Sequence, residues 1–200
     1  MMTAMTESRQ GRFSGSASDL ELLARVASAE PEALAELYER YGVQLLAYLR
    51  RLAGGDQGLA EEALQETFLA VWRSADSYQE RSAVRTWIYA IARNQALSQL
   101  RRHRPELVVL EDSVERELAD SAPGPERQAL ARSELAEIGA VLERINPVYR
   151  EVLGLVFVDE LTYPEVAEVL DVSVGTVKSR VFHARAALTR ALDGRADADA

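Results

Sequence analysis

The chain has 200 residues, with 23 Lys and Arg against 32 Asp and Glu, a formal net charge of −9, 48% hydrophobic residues and no cysteine. That length and apolar fraction suit one or two globular domains. The lack of cysteine excludes disulfides, Cys-ligated zinc and Cys-ligated iron–sulfur clusters and fits a reducing compartment, while no run approaches the roughly 18 apolar residues of a membrane span.

Residues 1–18 are polar, rich in Ser and Gly, and lack the apolar centre of a secretory signal, so they read as a disordered tail. Asp19 is placed to cap a helix over Leu20 to Ser28. Pro31 then opens a helix to about Ala53, in which Leu34, Leu37, Tyr38, Tyr41, Leu45, Tyr48, Leu49 and Leu52 keep a 3.6-residue period until Gly54-Gly55 ends it. A third helix, from about Gln57 to Ala75, turns Leu64, Phe68, Val71 and Trp72 inward. After a loop, Asp76 to Ser82, a fourth runs from about Ala83 to His103, with Val84, Trp87, Ile88 and Ile91 as its buried face. Pro105 stops it. Sustained period-two alternation is absent. Leu107 to Leu110 is the one short apolar run of another kind, and the fold class read from the sequence is all-α.

Charge is distributed in blocks. Arg81 to Arg104 holds six Arg and no acid, whereas Glu106 to Asp120 holds six acids and only Arg116 to oppose them. The acidic stretch ends in Ser-Ala-Pro-Gly-Pro and reads as a linker over 105–125. A second helical group starts near Glu126 and runs to about Arg144. Asn146-Pro147 then forms a cap with a first-position proline before Val148, Val152, Leu155 and Val156.

Leu161 to Leu188 reads as two helices joined by a tight turn. Thr162 and Glu165 have capping-box spacing, and Val166, Ala167, Val169 and Leu170 form an apolar stripe. Asp171 stands at the corner, being one of the few residue types besides Gly that tolerates a left-handed backbone. Ser173 caps the second helix, whose Val174, Val177 and Val181 recur as a core face. No acid falls between Ser173 and Leu192, so the positive charge of Lys178, Arg180, Arg185 and Arg190 stands unopposed. A helix-turn-helix puts such a second helix in the DNA major groove. Yet a net charge of −9 opposes phosphate, so the chain is expected to bind DNA weakly by itself and to need a larger partner.

Glu61 to Trp72 (EEALQETFLAVW), Arg85 to Arg102 (RTWIYAIARNQALSQLRR) and Asn146 to Leu188 together resemble the bacterial RNA polymerase sigma factors of the extracytoplasmic-function group. The resemblance covers about residues 20 to 190. It rests on Ile-Ala-Arg-Asn at 91–94 combined with Gly-Thr-Val-Lys-Ser-Arg at 175–180. It implies two small helical domains, region 2 at 19–104 and region 4 at 126–192, joined by a flexible linker, with a tail at 193–200. It implies that region 2 binds core RNA polymerase and melts the minus-ten element of promoter DNA, and that region 4 reads the minus-thirty-five element as duplex. Polymerase contact would fall on Glu62, Gln65, Glu66 and Trp72, although a plainly solvated helix face suits the first three equally well. A departure is Ser98-Gln99-Leu100-Arg101, where many members carry an acid before the closing Leu-Arg.

Melted DNA needs a cationic track and stacking faces. Arg81, Arg85, Arg93, Arg101 and Arg102 supply the first, Trp87 and Tyr89 the second, and Asn94 can read a base edge. Trp87 also lies on the apolar stripe and suits a core position. Arg85, Arg93 and Arg101 are eight residues apart, and each step turns a net 80° or so, so they sweep around the helix. In the last helix Thr176, Lys178, Ser179, Arg180, His183 and Arg185 are the DNA-facing set, with His183 equally placed as a surface residue. The acidic linker fits either a basic polymerase channel or a solubilising spacer. The resemblance further implies an anti-sigma partner, no direct membrane insertion and a cytoplasmic site of action. Two other classes stand beside it. One is a helix-turn-helix regulator that binds duplex DNA without being a polymerase subunit. The other is an enzyme, against which count the absence of a phosphate-cradling glycine loop, of a metal-spaced cluster and of any expected cofactor.

Overall fold

The computed structural model describes residues 17–103 and 145–196, the last six by their backbone alone. Within them the chain is helical throughout: α1 (Asp19–Ala27), α2 (Pro31–Leu52), α3 (Gln57–Ser74), a 3₁₀ turn (Ala75–Ser77), α4 (Val84–His103), α5 (Pro147–Phe157), α6 (Tyr163–Leu170) and α7 (Val174–Ala196). The linker over 105–125, the run Leu107 to Leu110 and the helix expected over 126–144 lie outside the described residues.

Each start has a local cause. Ser18, not Asp19, caps α1: its hydroxyl accepts the Glu21 N–H at 3.2 Å, and its own N–H donates to the Glu21 carboxylate at 2.6 Å. Asp19 is thereby free to tie α1 to α2, taking the Arg40 guanidinium at 2.8 Å and the Tyr41 hydroxyl. Pro31 sits in the first turn of α2. At its other end Gly54 and Gly55 have φ of 65° and 89°, which only residues lacking a Cβ adopt freely. Asp56 caps α3 through the Leu59 N–H, and Asn146 caps α5 through the Val148 N–H.

Helices α1 to α4 enclose one apolar core, with Leu22, Leu23, Leu37, Leu45, Leu49, Val71 and Ile88 among its most enclosed side chains. Gln99 is buried between α3 and α4. In the amide orientation that satisfies both ends, it donates to the Leu59 carbonyl at 3.1 Å and accepts from the Ala63 N–H at 3.3 Å. Helices α5 to α7 form the second unit, around Val152, Leu155, Val166, Val169, Val177, Val181 and Ala184. Val174, expected in that core, stands 37% exposed, because the apolar face of α7 begins a turn later at Val177. The helix also continues to Ala196, past the expected domain end at 192.

The two units are packed against each other. Helix α4 lies on α6, α2 touches α5, and the buried cluster runs without a break from one unit into the other.

Candidate functional site

The turn between α6 and α7 is built as its residues dictate. Glu165 receives both the N–H of Thr162, at 2.7 Å, and its hydroxyl, at 2.6 Å, which fixes the start of α6. Asp171 closes α6 in the left-handed region at φ 54° and ψ 48°, and the Val172 N–H reaches back to the Ala167 carbonyl. Ser173 caps α7 by accepting the Thr176 N–H at 3.0 Å, and its hydroxyl lies 2.9 Å from that of Thr176. With Val177, Val181 and Ala184 buried, Lys178, Ser179 and Arg185 are exposed, while Thr176, Arg180 and His183 are half-buried. The His183 ring stacks on Tyr149 of α5, with centroids 6.5 Å apart, so it also packs the unit together. Arg185 lies over the Phe157 ring.

On α3, Glu62, Gln65 and Glu66 are exposed and share one side with the 44%-exposed Leu69; Trp72 is half-buried against the core. Phe68 belongs to the core and meets the Tyr38 ring at 4.9 Å.

The residues expected to capture a single strand do not lie together on an open surface. Arg81, Asn94, Arg101 and Arg102 are exposed. Trp87 is half-buried and packs on Tyr78 at 5.2 Å. Tyr89 is fully enclosed, and Arg85 and Arg93 face the second unit. There Glu151 of α5 accepts from Arg93 Nε at 2.9 Å and from the Tyr48 hydroxyl at 2.8 Å. Asp159 takes the Arg51 guanidinium and, at 3.2 Å, the Tyr89 hydroxyl, while its backbone carbonyl accepts from Arg85. Thr86 donates to Glu165 at 3.2 Å. Burial pushes the Asp159 carboxyl above its ordinary range, against the opposing charge and hydrogen bond of Arg51. Burial also pushes Glu165 up, but its hydrogen bonds from Thr162 and Thr86 outweigh this and leave it lowered. Desolvation, with the Asp159 charge beside it, raises the Tyr89 hydroxyl to about 12.

Sequence reasoning missed Glu151 and Asp159. A usable signal existed for Glu151, an acid within the apolar run Val148, Val152, Leu155. Among the described residues no group of three or more His, Cys, Asp or Glu could hold a metal ion, and no helix is long and apolar enough to cross a membrane.

Residues 37–106 match the family model for Sigma-70 region 2, and residues 135–188 match that for Sigma-70, region 4. The RNA polymerase sigma factor NccH of Alcaligenes xylosoxydans xylosoxydans is 35% identical over 87% of this chain and 94% of its own length. The chain belongs to the extracytoplasmic-function group of RNA polymerase sigma factors. The sigma factor CnrH of Cupriavidus metallidurans is also 35% identical, over 88% of this chain and 95% of its own. The solved structure of CnrH in complex with the cytosolic domain of CnrY superposes with a TM-score of 0.64 at 28% identity, covering 88% of this chain and 97% of that one. The sigma factor RpoE of Bartonella quintana, solved with the anti-sigma factor NepR, gives 0.57 at 25% identity, covering 79% and 97%. As a sigma factor, this chain binds core RNA polymerase and promoter DNA and directs transcription initiation. Sigma factors act as regulators rather than enzymes.

Proposed function

We propose a division of labour among three helices of this sigma factor. Helix α7 enters the duplex major groove at the minus-thirty-five element through Lys178, Ser179, Arg180 and Arg185, with Thr176 and His183 at its margins. Helix α4 and the turn before it guide the melted minus-ten strand along Arg81, Arg85, Arg93, Arg101 and Arg102, with Asn94 reading a base edge and Trp87 and Tyr89 offering stacking faces once uncovered. The exposed side of α3 at Glu62, Gln65 and Glu66, with Trp72 at its edge, contacts polymerase. The chain performs no chemistry, works in the cytoplasm and is held in check by an anti-sigma factor, the kind of protein with which RpoE of Bartonella quintana was solved in complex.

The observation that carries this reading is the geometry of α6 and α7. The left-handed corner at Asp171 and the Ser173 cap fix the start of α7, and its acid-free cationic side is turned away from the buried Val177, Val181 and Ala184. The test is promoter binding by holoenzyme. Lys178→Ala or Arg180→Ala should weaken promoter recognition by about 1–3 kcal/mol for a lost bidentate base contact, while core polymerase is still retained in a pull-down. Loss of polymerase by either variant contradicts the assignment of α7. Arg85→Ala with Arg93→Ala should leave closed complexes intact and reduce the permanganate reactivity of unpaired thymines.

A further inference from the structure

Gln99 is a buried polar side chain of α4 that the strand-binding set leaves unused. It is 3% exposed, with Ala96 one turn earlier and Leu100 beside it also buried. Its amide spans one rung of α3. Nε2 donates to the Leu59 carbonyl at 3.1 Å and Oε1 accepts from the Ala63 N–H at 3.3 Å. Those two groups are the i and i+4 partners of an α-helix's own ladder. The Ala63 carbonyl in turn accepts from the buried Thr67 hydroxyl at 2.6 Å. Both main-chain polar atoms of Ala63 are thus bonded to a side chain, and side chains that enter the ladder in this way bend a helix. The rung is satisfied within α3, so loss of the amide strands neither group, and the desolvation of a buried amide offsets most of what its hydrogen bonds contribute. Net stability therefore does not explain the residue, but direction does. An apolar contact lets two helices slide, whereas a pair of aligned hydrogen bonds to one rung allows a single register.

We propose that Gln99 is a positioning residue, which fixes the register of α4 along α3 and, with Thr67, the curvature of α3. This rests on the reading of α3 as the polymerase side and α4 as the strand side. Glu62, Gln65 and Glu66 stand within a turn of the bonded rung on the exposed side of α3. Asn94 precedes Gln99 on α4, Arg101 and Arg102 follow it, and all three are exposed. Gln99 touches neither ligand and acts through the helices that carry these groups. Polymerase or duplex alone can be bound with the two helices slightly slipped. Strand opening needs polymerase and the melted strand held together in one geometry, so it is the step that depends on the register.

The test is open-complex formation by holoenzyme carrying Gln99→Met, which keeps the length of the side chain and loses both hydrogen bonds. Permanganate reactivity of unpaired thymines should fall roughly tenfold, while core polymerase affinity and closed complexes stay within about twofold of the parent. In the free chain, which has no cysteine of its own, spin labels on Glu61→Cys of α3 and His103→Cys of α4 report the register; both residues are exposed and outside the assigned contacts. The distance distribution should be broader for Gln99→Met than for the parent. Stability is separated by adding Ala29→Gly, which relieves a left-handed backbone at φ 61° in the turn between α1 and α2. Opening restored by Ala29→Gly makes the role structural only and overturns the proposal. So do unchanged opening, a parallel loss of core affinity, or an unchanged distance distribution. Should Gln99→Met fail to fold even with Ala29→Gly, Thr67→Val decides, because it removes the other side-chain bond to Ala63 at nearly constant volume. Reduced opening supports the proposal, and normal opening by a folded Thr67→Val holoenzyme overturns it. Failure of the underlying reading is separable. Unchanged core affinity for Glu62→Ala with Glu66→Ala removes α3 from the polymerase side, and normal permanganate reactivity for Arg85→Ala with Arg93→Ala removes α4 from the strand, whatever Gln99→Met does.

Discussion

Gly154 lies inside α5, where an alanine should be the better residue by about 0.8–1 kcal/mol of helix propensity. Its surroundings reverse that expectation. A Cβ built on Gly154 would lie 3.3 Å from Nε of Arg51 and 3.8 Å from Nη2, on the side chain that crosses to Asp159. The Arg51 side chain is 32% exposed and can give way, but only by loosening its grip on a carboxylate that is 4% exposed. Removing a partner outright from a buried charge costs roughly 3–5 kcal/mol, so even partial loosening cancels the propensity gain. Gly154→Ala should therefore leave the intact protein unchanged or less stable in urea. In an Arg51→Ala background the obstruction is gone, and the same substitution should stabilise by up to about 1 kcal/mol. The coupling read from the cycle should then be about 1 kcal/mol or more. Equal effects in both backgrounds, within the roughly 0.3–0.5 kcal/mol expected of independent sites, would refute the reasoning.

The remaining predictions concern the core, the caps and the carboxylates. Leu155→Ala, at a fully enclosed position, should cost about 2–5 kcal/mol, whereas Val174→Ala should stay within about 0.5 kcal/mol; thermal melts separate the two. Asp171→Gly should match or exceed the parent in stability, because a left-handed backbone costs an L-residue about 1–2 kcal/mol; a clear loss in urea would mean that the Asp side chain makes the turn. Asp159→Asn and Glu165→Gln should tilt the pH dependence of stability in opposite senses. Glu165 is lowered, so its contribution is present above the ordinary carboxylate value and lost as pH falls, and the Gln variant should lag its parent most near neutrality. Asp159 is raised, so the parent loses stability as pH rises through that elevated value, and the Asn variant should gain on it in the same direction. Urea midpoints taken from pH 4 to 7 would reveal parallel slopes if either assignment of sign is wrong.

Most of the helical frame was legible because its causes are local. The 3.6-residue stripe of α2, the Gly54-Gly55 stop, the Asn146 and Ser173 caps and the Asp171 corner each depend on residues within a turn of one another. Errors arose where two local rules competed. Ser18 and Asp19 are both good caps, and what places Asp19 inside the helix is its pairing with Arg40, 21 residues away. Val174 keeps the period of Val177 and Val181 but precedes the point where α7 meets a neighbour. On α7 the exposure of Lys178, Ser179 and Arg185 was readable, but the covering of Arg85, Tyr89 and Arg93 on α4 was not. Arg93 finds Glu151 at a separation of 58 residues, and Arg51 finds Asp159 at 108, and no periodicity within one helix encodes such pairings.

If α4 takes a strand only once the seam between the units has parted, as the proposed function requires, that seam also sets a rule for how ligands compete on this chain. Each 1.4 kcal/mol by which closure is favoured leaves tenfold less of the open form, and weakens by the same factor any partner that engages the open form alone. A molecule that grips the closed form therefore antagonises one that needs the open form without sharing a single contact with it. The antagonism is reciprocal, because both draw on one equilibrium. Substitutions at Tyr48, Arg51 or Thr86, none of them assigned to DNA or polymerase contact, are then expected to shift every such affinity together, in proportion to how far they loosen the closure.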